Sequence, residues 1–193
     1  MIQFGTQEVI HIEAVTPRGS DTPRKAIQRA AQAGRLERIA RGIYIPADAP
    51  PADWDQIEAA TRRPDATICL ISALSHYDLT DEIPSVLNVA IPGNARPPAT
   101  SGAIKWHRFD RTTFSLGRDE MEIAGTVQRI GIYSAERTIA DAFRLRGTFG
   151  YETARDALKE WLRRGGKPAQ LIKIATQLPR AKAPVVNALD MMV

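Results

Sequence analysis

Residues 22–46, TPRKAIQRAAQAGRLERIARGIYIP, read as one helix running straight into a tight two-stranded hairpin. Thr22 suits an N-cap, and Pro23 suits the first helical position, where its missing N–H costs nothing. Gly34 stands where a helix ends on a left-handed residue. At about 100° per residue, Ala26, Ile27, Ala30, Ala31 and Ala33 share one half of the wheel; Arg24, Lys25, Gln28, Arg29 and Gln32 share the other. The polar half contains no carboxylate. Solvated helix faces usually mix signs, because opposite charges three or four residues apart stabilise the helix. A face of Arg, Lys and Gln alone suits phosphates and base edges. RLERIA, the turn Arg41-Gly42 and IYIP then form a hairpin carrying Arg35, Arg38 and Arg41. A helix followed by a basic hairpin is the second half of a winged helix-turn-helix.

Working outward, the preceding VIHIEAV alternates apolar and polar and fits either a strand or a short helix. The following PADAPPADW is a stiff, proline-rich connection. The expected organisation is therefore a winged-helix domain over 1–46, a linker over 47–52 and a second domain over 53–193. Charge changes at the same place. Residues 1–46 carry seven Lys/Arg against four Asp/Glu, residues 47–132 eight against twelve, and residues 133–193 eleven against six. Two basic ends flank an acidic middle, and the N-terminal excess fits a nucleic-acid contact.

The second region opens with a helix near 53–62. TICLISALSHY, residues 67–77, reads as a buried helix, since Ile68, Ile71 and Leu74 keep a helical spacing. SVLNVAIP, AIKWHRF, MEIAG and TVQRIGIY follow as short strands of a small sheet. Ser134 caps a helix with Ala135, Ile139, Ala142 and Phe143 on one face. A second helix carries Ala154, Ala157, Leu158, Trp161 and Leu162 and ends at Gly165-Gly166. Residues 168–178 and APVVNALDMM are two more helical segments. The fold class is α+β.

Catalytic constellations are weak. The chain of 193 residues has one cysteine and three histidines, without metal-ligand spacing. Cys69 and His76 sit seven apart on one expected helix but lack an orienting third group. Ser72, Ser75, His76 and Asp78 are near in sequence, which is not triad geometry. Asp110, Asp119, Glu120 and Glu122 lie among the strands, and no lysine accompanies Glu120 or Glu122 as a metal nuclease would need. No Walker loop or GxGxxG is present. Trp54, Trp106 and Trp161 are expected to pack rather than stack on bases. No enzymatic activity, metal or cofactor is expected. The single cysteine fits a reducing cytosol, and the N-terminus lacks the pattern of a signal peptide. A cytoplasmic location without membrane contact follows as the expectation.

AQAGRLERIARGIYIP resembles the G-x-L-x-R-x-x-R-G-x-Y ending of the winged helix in AbiEi-like antitoxins of type IV toxin–antitoxin systems. ICLISALSHYDLTDEIPSVLNVAIP resembles that family's S-A-L-x-x-H-x-L helix, with His76 one place early. SAERTIADAFR resembles its E-R-T-L-A-D helix. The resemblance spans residues 22 to about 180 and lies in the order of the three motifs. It implies a repressor of its own operon that counters a neighbouring nucleotidyltransferase-like toxin, functionally or by contact. Thr22 to Gln32 then match the recognition helix and Arg35 to Ile45 the wing. Ser72-Ala73-Leu74 and residues 136–141 match the C-terminal region. An outward surface at Arg163, Arg164 and Lys167 would assist neutralisation. Two other readings stay open: a stand-alone winged-helix regulator with a ligand- or protein-sensing C-terminal domain and no toxin, and, more distantly, a degenerate nuclease.

Overall fold

The computed structural model describes residues 10–11, 22–49 and 51–192. The side chains of residues 22–24 lie outside the described set, and with them the expected Thr22 cap and the expected Arg24 contact. The protein is α+β, with two sheets and helices distributed between two compact units.

The first unit comprises residues 1–66, 98–104 and 120–130. It contains β1 (Ile10–His11), α1 (Thr22–Gln32), β2 (Leu36–Ala40), β3 (Ile43–Pro46) and α2 (Trp54–Arg62). The strands form an antiparallel sheet in the order β1-β3-β2, with Ile10 opposite Tyr44 and Arg38 opposite Tyr44 on the other side. VIHIEAV thus contributes a strand at Ile10–His11. The helix α1 ends as its glycine requires. Gly34 has φ 69°, its N–H donates to the Ala31 carbonyl, and the Arg35 N–H donates to the Ala30 carbonyl. Those two bonds satisfy carbonyls that the helix end would otherwise leave open. The apolar half of α1 lies on the sheet: Ile27 and Ala30 cluster with Leu36 and Tyr44, and Ala31 packs at the margin. Removing the side chain of fully buried Ile27 by substitution with Ala costs about 2–5 kcal/mol.

The helix α2 packs on β2, so the proline-rich stretch 47–52 lies within this unit rather than at its edge. The boundary expected there is displaced to Ala66. The physical reason is a bonding network rather than chain stiffness. Arg62 of α2 donates to the Arg41 carbonyl (2.8 Å), and Gln128 Nε2 donates to Thr61 Oγ1 (2.9 Å). Asp53 caps α2, accepting the Gln56 N–H at 3.0 Å.

The second unit comprises residues 67–97, 105–119 and 131–193. Its elements are β4 (Thr67–Ile68), α3 (Leu70–His76), β5 (Leu87–Pro92), β6 (Ile104–Phe109), β7 (Arg118–Glu122), β8 (Arg129–Tyr133), α4 (Ala135–Arg144), α5 (Arg146–Phe149), α6 (Tyr151–Arg163), α7 (Pro168–Gln177) and α8 (Lys182–Asp190). The chain passes from one unit to the other inside β6, β7 and β8. The strand order is β6-β5-β4-β8-β7. The single helix expected over residues 67–77 is a correction: Thr67–Ile68 is the central strand, antiparallel to β5 and parallel to β8, and the helix begins only at Leu70. A short apolar run has no period that separates a buried strand from a buried helix. Leu70 makes the change of direction at φ 55°, a left-handed conformation held by its burial.

The helix α4 packs against α3, α6, α7 and α8. Its Ile139, Ala142 and Phe143 join Leu74, Ala154, Leu158, Trp161, Leu171 and Val185 in one apolar core. Leu162, placed on the expected stripe of α6, is half-buried at its margin.

Candidate nucleic-acid interface

The exposed face of α1 carries Lys25, Gln28, Arg29 and Gln32, with no acidic residue on the helix. Arg29 Nε reaches back to the Lys25 carbonyl at 3.4 Å, which leaves the rest of its guanidinium to solvent. Beyond the helix, Arg35, Arg38 and Arg41 are all exposed. Arg38 sits opposite Tyr44, the residue that packs under α1, so it emerges on the helix-bearing side of the sheet. Its Nε donates to the Ala40 carbonyl at 3.2 Å, across the irregularity where the register shifts between Arg38 and Ala40. Glu37 pairs with Ile45 and points to the other side. The hairpin turn is Arg41-Gly42, with Gly42 at φ 79°.

Lys25, Arg29, Arg35, Arg38 and Arg41 form no salt bridge among the described residues. Helix and hairpin therefore present five cations, whose counter-charges the described residues do not supply, and the two neutral side-chain amides of Gln28 and Gln32. Such groups can neutralise phosphates as point charges and, for Arg and Gln, bond base edges in pairs.

The hairpin has a foundation that the sequence reading did not name. Arg62 holds the carbonyl of Arg41 at the hairpin tip, and its Nη2 lies 3.5 Å from Glu58 Oε1. Glu58 is 2% exposed. Its carboxylate accepts the backbone N–H groups of Ser101 (2.9 Å) and Gly102 (2.9 Å). One buried carboxylate thereby fixes both a loop and the arginine that supports the hairpin. The signal available was the i,i+4 spacing of Glu58 and Arg62. Nearby, burial and the charges of Asp53 and Glu58 push the Asp55 carboxyl above its usual range.

The basic surface expected on α6 has a different character. Both nitrogens of the Arg163 fork bond Glu160, at 2.7 and 2.6 Å. Arg164 bonds the same carboxylate at 2.6 Å and donates to the carbonyls of Tyr77 (3.1 Å) and Asp78 (2.8 Å). Arg164 therefore staples the end of α6 to the end of α3 and is not a free cation. Bonding to Arg163 and Arg164 holds the Glu160 carboxyl down at about 2. The groove beside these residues, about 680 Å³, is also lined by Asp78, Asp81, Glu82, Glu152 and Asp156, so with Glu160 its carboxylates outnumber its cations and the local charge is acidic rather than basic. Lys167 is exposed just before α7.

The E-R-T-I-A-D segment is a buried charge network. Arg137, 0% exposed, donates to Asp141 (2.9 Å) and to the carbonyls of Thr113 (2.6 Å) and Leu116 (2.8 Å), with its guanidinium 4.4 Å from the Tyr133 ring. Arg144 bonds the other oxygen of Asp141. Ser134 caps the helix, accepting the Arg137 N–H at 3.3 Å. On an amphipathic helix wheel these charges gave no sign of facing inward.

The residues weighed for catalysis are dispersed. Cys69 is buried at the start of α3, where burial pushes its thiol well up, while His76 is exposed at the other end. Ser72 bonds Asn88, not a histidine. Asp110 accepts from Thr112 within its own turn, and Glu120 lies 3.8 Å from Arg129. Among the described residues no three His, Cys, Asp or Glu side chains gather as a metal site, and no helix is long and apolar enough to cross a membrane. Trp161 is buried, Trp106 half-buried and Trp54 exposed. No protein-family model matches the chain, and no curated protein matches it.

Proposed function

We propose that the chain is a DNA-binding transcriptional regulator whose first unit reads double-stranded DNA through a winged helix. The observation that carries this reading is the acid-free face of α1 beside a hairpin of exposed arginines that form no salt bridge among the described residues. The sheet order β1-β3-β2 supports it, because it places the hairpin and the strand before α1 in one sheet, as a winged helix does. In this reading α1 enters the major groove. Gln28 and Gln32 suit adenine edges, Arg29 suits guanine, and Arg35, Arg38 and Arg41 grip phosphate. A mobility shift on the chain's own promoter tests it. Lys25→Ala/Arg29→Ala should lose affinity at physiological salt, and an unchanged shift would remove α1 from the interface.

We further propose that the chain acts as an AbiEi-like antitoxin, repressing its own operon and countering a nucleotidyltransferase-like toxin. Support comes from the order of the three resembling segments. The Arg137–Asp141 network gives the third of them a physical role in holding the second unit together. The bonding of Arg163 and Arg164 to Glu160 narrows any neutralising cation on that face to Lys159 and Lys167, which carry no salt bridge among the described residues. Expression of the adjacent gene, with and without this chain, tests the reading. A neighbour that is not toxic would leave the stand-alone regulator as the better account.

A further inference from the structure

The second unit contains a relay of buried polar groups that orients one histidine beside a cavity. Asn88 on β5 is 5% exposed. Its amide nitrogen donates to Ser72 Oγ (3.3 Å) and to the Val86 carbonyl (3.1 Å). That leaves Oδ1 facing His107 Nε2 at 2.8 Å, where it accepts. The His107 proton is thereby placed on Nε2, and Nδ1 of the neutral ring is an acceptor with no partner among the described residues. Ser72 is fixed in turn, accepting the Asn88 backbone N–H at 2.9 Å. Burial and the charge of Lys105 lower the His107 pKa, which favours the neutral ring at pH 7.

The cavity has a volume of about 240 Å³. One water needs roughly 10–15 Å³ on such a measure, so a molecule of several non-hydrogen atoms fits. Ile71, Pro84 and Val86 give it an apolar wall; Glu82, Lys105 and His107 give it polar groups. Glu82 and Lys105 carry opposite charges, yet neither is salt-bridged to the other or to any described residue. Solvated surface charges need no partner, but these two line one concave site together with His107 and its buried partner Asn88.

We propose that this cavity binds a small zwitterion of the amino-acid class. Its carboxylate meets Lys105, its ammonium meets Glu82 and Nδ1 of His107, and an aliphatic side chain lies against Ile71, Pro84 and Val86. The proposal is independent of the DNA-binding reading.

Calorimetric titration of the full chain with glycine, L-valine, L-leucine and L-methionine tests it, together with the imidazole ¹⁵N resonances of His107. At least one of the three aliphatic amino acids should bind with a Kd of about 1 mM or tighter and shift Nδ1. Its amide and its N-acetyl derivative, each lacking one charge, should bind at least about tenfold more weakly. Lys105→Met and Glu82→Gln should show the same loss at an unchanged melting temperature of the free protein. Absence of saturable binding by all four amino acids would overturn the proposal. So would equal binding of the singly charged derivatives.

Discussion

Removing the carboxylate of Asp141 should be among the most damaging single changes to this protein. Asp141 is 1% exposed and accepts from two guanidiniums, Arg137 at 2.9 Å and Arg144 at 2.5 Å. In Asp141→Ala, Arg137 stays buried with the Thr113 and Leu116 carbonyls and the Tyr133 and Phe109 rings as partners but no carboxylate. Breaking a buried pair from one side costs about 3–5 kcal/mol, because the remaining charge cannot reach water. For a chain of this size each kcal/mol lowers the melting temperature by roughly 2–4 °C, so a fall of about 10 °C is expected. Thermal and urea unfolding followed by circular dichroism measure it. Arg155→Ala breaks an exposed pair with Asp156 and should move stability by less than about 0.5 kcal/mol. Arg137→Met/Asp141→Leu removes both buried charges and should recover much of the loss, since an apolar replacement of a buried pair is often nearly neutral. A loss below about 1 kcal/mol for Asp141→Ala would show that the network is not a keystone.

Arg164→Ala should lower the melting temperature more than Arg163→Ala, because only Arg164 also ties α6 to the Tyr77 and Asp78 carbonyls; equal effects would refute the staple. The Glu160 carboxyl is depressed from 4.5 to about 2, so whatever stability it adds is complete above pH 4.5 and is lost as pH falls through about 2. Its exposure keeps that contribution small, and Glu160→Gln should flatten the acid limb of a stability–pH curve only within that window. Glu58→Gln should speed amide exchange at Ser101 and Gly102, whose N–H groups its carboxylate accepts, and unchanged protection there would show the loop to be held by something else.

The parts of this fold legible in the sequence are those with local chemistry. The hairpin at 36–46 could be read from a two-residue turn ending in Gly42, and the ends of α1 and α6 from Gly34 and Gly165, both at positive φ. Ser134 announced the start of α4. Residues 67–77 were opaque because Thr67 and Ile68 are buried on the sheet and Leu70 to Leu74 are buried on the helix, so the apolar pattern is continuous across the change. At the candidate site, the free face of α1 followed from helical periodicity alone. The bonded state of Arg163 and Arg164 did not, since nothing in the spacing tells that both converge on Glu160 or that Arg164 reaches carbonyls more than 80 residues away. The hold of Glu58 on the 101–102 loop and the setting of His107 were equally hidden, because their partners there are backbone groups and an amide brought together only by the fold.

The most direct test of DNA binding through α1 and the hairpin is the salt dependence of affinity for the chain's own promoter. Four described cations left for phosphate, Lys25, Arg35, Arg38 and Arg41, should release about four counterions' worth of salt dependence. That gives a slope of log K against log salt near −3.6. Replacing Arg35, Arg38 and Arg41 by Ala should flatten the slope by about 2.7 while the melting temperature stays within a few degrees of wild type. A slope near zero for the wild-type protein, or a slope unchanged in the folded triple variant, would contradict the account.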